Sequence, residues 1–119
     1  MGSSFSKSPH ATNDYELAIK SSKELEWILG EEFGATGKGL HEKISSTNTI
    51  ILQASHLEMP SSLVRNMRYL ATIRNKLVHE RGFDAIPDRN TFIQKFESSQ
   101  EELKKLIVLH RNRNNKEQQ

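Results

Sequence analysis

The chain has no cysteine among its 119 residues, which excludes a disulfide framework and thiolate chemistry. No apolar run approaches the roughly 20 residues that a membrane-spanning helix needs. The start, Met1-Gly2-Ser3-Ser4-Phe5-Ser6-Lys7, lacks the apolar core of a secretory signal. These absences predict a cytoplasmic protein with no membrane partner. Charge of one sign is also missing. With 17 basic and 15 acidic side chains the net charge is +2, so the chain does not grip long nucleic acid by bulk charge alone. Its sequence pI of about 9.0 still permits contact with a phosphate backbone. Apolar residues make up only 34%. That is enough for the core of one domain at this length. Internal repeats are absent.

Helical periodicity is what the sequence does have. Residues 1–13 are rich in serine and carry Pro9, so they read as a disordered lead. They also fit an N-myristoylation pattern, although a plain flexible start explains them as well. Asn13 or Asp14 can cap a first helix reaching about Glu32. Its inward arc is Leu17, Ala18, Leu25, Ile28, Leu29 and Phe33. Trp27 lies off that arc among Lys20, Lys23 and Glu31, where it stacks on a base, anchors a subunit contact, or is covered by another part of the fold. Gly34 to Gly39 forms a loop. Gly37-Lys38 is not a phosphate loop, because Glu32 and Gly39 stand where a Walker motif needs Gly and Ser or Thr.

A second helix is expected over about 39–56, with a stripe of Leu40, Ile44, Thr47, Ile51 and Ala54. Ser45-Ser46-Thr47-Asn48-Thr49 is a poor helix interior, so a break is expected there. Pro60 suits the first turn of a third helix. This helix runs to about Arg81, and Gly82 is its expected cap. Asp88 caps a fourth, whose arc is Phe92, Ile93, Phe96, Leu103, Leu106 and Ile107. From Arg111 the chain turns polar and is expected to fray. The organisation is then a lead over 1–13, a helical domain over 14–110 and a polar tail over 111–119. The fold class is all-α, an up-and-down bundle of four helices.

The third helix carries the informative stretch. On a pitch of about 100° per residue, Leu63, Met67, Leu70, Ala71, Ile73, Leu77 and Val78 form one apolar arc, and Arg74 falls near its middle. A guanidinium there needs a partner. If Arg74 serves the fold, a carboxylate such as Glu24 or Glu32 on the first helix is the expected one, or exposed carbonyls. Asn75 and His79 lie one turn apart on the polar side, in line with Arg68 and Thr72.

Arg74-Asn75-Lys76-Leu77-Val78-His79, an Arg followed by a polar residue and then a His at the end of a helix, resembles the signature of the HEPN superfamily. The run from Gly37-Lys38-Gly39-Leu40 through Leu63 to His79 also resembles small bacterial members. The resemblance covers about residues 14–110 and is specific only around 74–79. It implies a metal-independent endoribonuclease, acting as a homodimer on RNA and leaving a cyclic phosphate, with a toxin or defence role and an antitoxin or regulatory partner. RNA supplies its own nucleophile, so proton transfer and charge stabilisation suffice. Arg74 would hold the phosphate, His79 would move the proton and Asn75 would support it. Arg65, Arg68 and, more weakly, Lys76 would contact neighbouring phosphates.

Arg74 and His79 are separated by about 7.5 Å along the axis and by roughly 140° around it. One helix converges them poorly, so a second copy of the chain is expected to complete the site. No metal or other cofactor is expected: His10, His41, His56 and His110 show no ligand spacing, and no nucleophile motif is present. The alternative is a non-catalytic helical module that binds a partner protein, a nucleotide or RNA.

Overall fold

The computed structural model describes residues 13–118, with side chains as far as Asn115. The serine-rich lead, its modification pattern and His10 lie outside the described residues. Four helices make up the domain: α1 (Asp14–Phe33), α2 (Leu40–Ser55), α3 (Ser61–His79) and α4 (Arg89–Gln118). No strand occurs among the described residues.

The caps follow the sequence chemistry. Asn13 closes the start of α1 by accepting the backbone N–H of Glu16 at 2.7 Å, as a short polar cap does. Gly34, at φ 72°, closes its other end in the left-handed region. Pro60 is the N-cap of α3, and Glu80 in extended backbone ends it. Gly82, at φ 88°, lies in the turn beyond and not at the cap. Asp88 accepts the N–H of Thr91 at 3.1 Å and starts α4.

The expected arcs supply the core. Leu17, Leu25, Ile28, Leu29, Ile44, Ile51, Leu63, Met67, Leu70, Phe92, Phe96 and Leu103 are all fully buried. α2 runs unbroken through its Ser/Thr segment. The hydroxyls of Thr47 and Thr49 donate to the carbonyls of Lys43 and Ser45, four residues back. These side chains therefore bond along the helix they were expected to interrupt.

Two expectations are corrected. The helices do not alternate up and down. Lys43 of α2 meets Glu26 of α1 at 3.7 Å, while Phe33 and Ser55, near the far ends of the same two helices, both contact His110. α1 and α2 thus run in the same sense. The link 34–39 doubles back along α2 to permit it: Thr36 N–H bonds Ser46 Oγ at 3.0 Å, and Lys43 Nζ bonds the Gly37 carbonyl at 2.7 Å. Six extended residues reach about 20 Å, enough to return to the start of a parallel neighbour. α3 runs opposite to α2, with Arg68 against Ser45 and Thr72 against His41. α4 runs with α1, tied at the start by Arg89 to Asp14 at 2.5 Å.

The second correction concerns residues 111–118, which continue α4 and do not form a separate tail. Arg111 pairs with Glu32, and Arg113 donates to the Ser55 carbonyl at 3.2 Å. Long-range partners hold a segment whose own composition argues for fraying.

Candidate functional site

Three elements meet around the end of α3: the second half of α3, the middle of α1 and the first turn of α2. They enclose two adjoining clefts. One, of about 530 Å³, is lined by His41, Thr72, Asn75, Lys76, His79 and Glu80. The other, of about 540 Å³, takes in Lys23, Glu26, Lys38, Glu42, Arg74, Asn75 and again His41. Asn75 and His41 therefore border both. Arg74 opens into one cleft and His79 into the other, as their angular separation on the helix requires.

Arg74 is half-buried, and its guanidinium donates to its own neighbour, Asn75 Oδ1, at 3.0 Å. No ion pair joins it to a carboxylate among the described residues. Glu32 pairs with Arg111 instead. Glu24 holds a buried Oε2 with no partner among the described residues, and burial pushes its carboxyl above the usual range. The structural partners expected for Arg74 are thus not the ones it has. His79 is exposed at the last turn of α3.

The remaining candidates divide. Lys76 borders the first cleft but sits 5.4 Å over the Phe83 ring. Arg65 is exposed and lines neither cleft. Arg68 turns inward and grips α2, donating to His41 Nδ1 at 3.0 Å and to Ser45 Oγ at 3.0 Å. Trp27 stands half-exposed on α1 and lines neither cleft.

The start of α2 adds what the sequence did not announce. Gly39 caps it without any side-chain hydrogen bond, and the first turn, with the positive end of the helix dipole, borders the second cleft. The approach is tight: a Cβ on Gly37 would lie 2.5 Å from Glu42 Cβ, at φ +133°. Glu42 in turn accepts the N–H of Lys38 at 3.1 Å. The clefts carry both signs of charge. Lys23, Lys38 and Arg74 face Glu26 and Glu42 in the second, and Glu26 is partly countered by Lys43.

His41 is the residue that sequence reasoning missed. Its spacing points to no metal role, and its position at the start of α2 is the one signal the sequence carries. Burial first, and the Arg68 charge second, lower its pKa. Among the described residues no group of three or more His, Asp or Glu is placed to hold a metal ion. No helix of the described residues is long and apolar enough to cross a membrane. No family model, no curated protein and no solved structure matches the chain.

Proposed function

We propose that the chain is a metal-independent endoribonuclease of HEPN type, working as a cytoplasmic homodimer. One observation carries this reading: Arg74, Asn75 and His79 border two adjoining clefts that share Asn75. A phosphodiester in the second cleft would meet the Arg74 guanidinium, whose planar fork suits phosphate oxygens. The Asn75 amide, with its oxygen already held by Arg74, presents N–H donors to the same group. His79 accepts the proton of the RNA 2′-hydroxyl. That oxygen then bonds to phosphorus, the bond to the 5′-oxygen breaks, and the leaving oxygen takes up a proton. The products are a 2′,3′-cyclic phosphate and a 5′-hydroxyl. A second copy brings a second His79 to the groove and supplies the proton donor. A toxin or defence role, with a separate antitoxin or regulatory partner, follows from the same resemblance.

The test is RNA cleavage by the purified protein in excess EDTA, with His79→Ala run alongside and both checked for folding. Cleavage by the wild type alone supports the reading. Equal cleavage by His79→Ala sinks it. The rival, a non-catalytic binding module, draws support from one observation: Arg74 and His79 open into different clefts within one chain. RNA binding without cutting, by a folded dimer, would favour that rival.

A further inference from the structure

The Arg68–His41 contact joins α3 to the first turn of α2 at the wall that the two clefts share. Arg68 Nη1 lies 3.0 Å from His41 Nδ1 and 3.5 Å from the His41 carbonyl oxygen, and Nη2 lies 3.0 Å from Ser45 Oγ. A guanidinium is always protonated and has no acceptor. Nδ1 must therefore accept, and it carries no hydrogen. In the neutral ring the hydrogen then sits on Nε2. That nitrogen is 3.4 Å from Thr72 Oγ1, a long and weak contact. A phosphate oxygen entering either cleft can compete for this hydrogen.

We propose that Arg68 fixes His41 as a neutral hydrogen-bond donor, its Nε2–H on the Thr72 side, where it meets a phosphate oxygen of RNA in the cleft that His79 borders. The assignment of a phosphodiester to these clefts rests on the function proposed above; the tautomer does not. Arg68 is then a positioning residue, and the two histidines divide the labour. His41 gives a fixed, uncharged donor, whereas His79 exchanges protons. The charged and titratable groups that share the clefts with His41 are Arg74, Lys76, His79 and Glu80 of α3, Glu42 of α2, Lys38 of the link and Lys23 and Glu26 of α1, and Arg68 of α3 touches the ring. Arg68 is the one in contact with the ring nitrogen that must stay bare. A donor already oriented before the substrate arrives needs no reorganisation when charge develops on the phosphate.

The experiment pairs nitrogen NMR of the histidine rings, in the wild type and Arg68→Leu, with cleavage assays on three His41 variants. In the wild type, His41 is expected to show a protonated Nε2 and a bare Nδ1 at neutral pH. Arg68→Leu is expected to give a mixture of tautomers. Titration with a 2′-O-methyl oligouridylate, which binds but cannot be cut, is expected to shift the His41 Nε2–H signal. His41→Ala is expected to lower kcat about 100-fold, the scale of one lost transition-state donor. His41→Gln, which returns an N–H to the Nε2 position, is expected to recover most of that loss. His41→Asn, whose N–H lies nearer the Nδ1 position, is not.

A proton on Nδ1 in the wild type, or a tautomer indifferent to Arg68, overturns the proposal. So does an Nε2–H signal that ignores a bound oligonucleotide, or a His41→Gln protein as impaired as His41→Ala. A wild type that binds the oligonucleotide through His41 but cuts no RNA would defeat the nuclease reading and leave this one standing.

Discussion

α2 meets a histidine ring at each end, His41 of its own first turn and His110 of α4. At its first turn His41 is half-buried, borders both clefts and bonds Arg68. Against its last turn His110 of α4 is only 7% exposed, lies 5.4 Å from the Phe33 ring and bonds Ser55 Oγ at 2.9 Å. Burial lowers the pKa of both. Ser55 also reaches the Ile51 carbonyl at 2.9 Å with its single hydroxyl hydrogen. Both contacts are satisfied together only when His110 carries its hydrogen on Nδ1, opposite to His41. The far end of the helix is further closed by Arg113 on the Ser55 carbonyl and by the left-handed cap at His56. The same side chain with the same direction of pKa shift is packing at one end and accessible chemistry at the other. What separates them is that His41 borders both clefts while His110 is packed against Phe33 and Ser55.

The comparison breaks most visibly at the closed end. His110→Ala removes a buried ring and is expected to cost about 2–4 kcal/mol, read as a lower urea midpoint, while the folded fraction keeps its cleavage rate. Comparable loss of cleavage in a fully folded His110→Ala protein would erase the distinction between the ends. Next comes the link at the open end. Gly37→Ala forces a Cβ against Glu42 at a left-handed φ and is expected to destabilise by about 1–3 kcal/mol, with weaker oligonucleotide binding beyond that loss.

A smaller effect is the pH dependence. Because burial depresses both imidazoles, their contribution to stability is present above the ordinary value near 6.5. It is lost as pH falls through the lowered folded values. The urea midpoint should fall on the acid side. His110→Gln, with Glu32, Arg111 and Arg113 left in place around it, should flatten that fall. The smallest is Arg111→Ala. Its pair with Glu32 is an exposed one, so a change of about 0.5 kcal/mol or less is expected in the same assay.

The four helices were legible because apolar spacing at 3.6 residues survives in any context. The arcs of α1 and α3 match the buried residues almost one for one. The direction of α2 was not legible. A six-residue link between helices ordinarily joins antiparallel neighbours, and the bonds that lay it back along α2 connect residues that look unremarkable in sequence. The continuation of α4 depends on Glu32 and Ser55, 79 and 58 residues away from their arginines. Within the clefts, Arg74, Asn75 and His79 stood out through their own helix. His41 did not, because its meaning comes from Arg68, 27 residues on. From its stripe alone Arg68 reads as a phosphate hook, while its donors are turned onto α2.

Three helices pointing one way and one the other leave the peptide dipoles uncancelled. In an alternating bundle the moments oppose in pairs. Here α1, α2 and α4 add, and only α3 subtracts. The backbone moment therefore has its positive end toward the starts of α1 and α4, where α3 delivers His79 and where Asp14, Glu16 and Asp88 set carboxylates against it. A polyanion drifting near it exerts a torque as well as a pull. If RNA is the ligand, as proposed above, that torque would help turn the clefts toward it, and the gain would fade as added salt shortens the reach of the field.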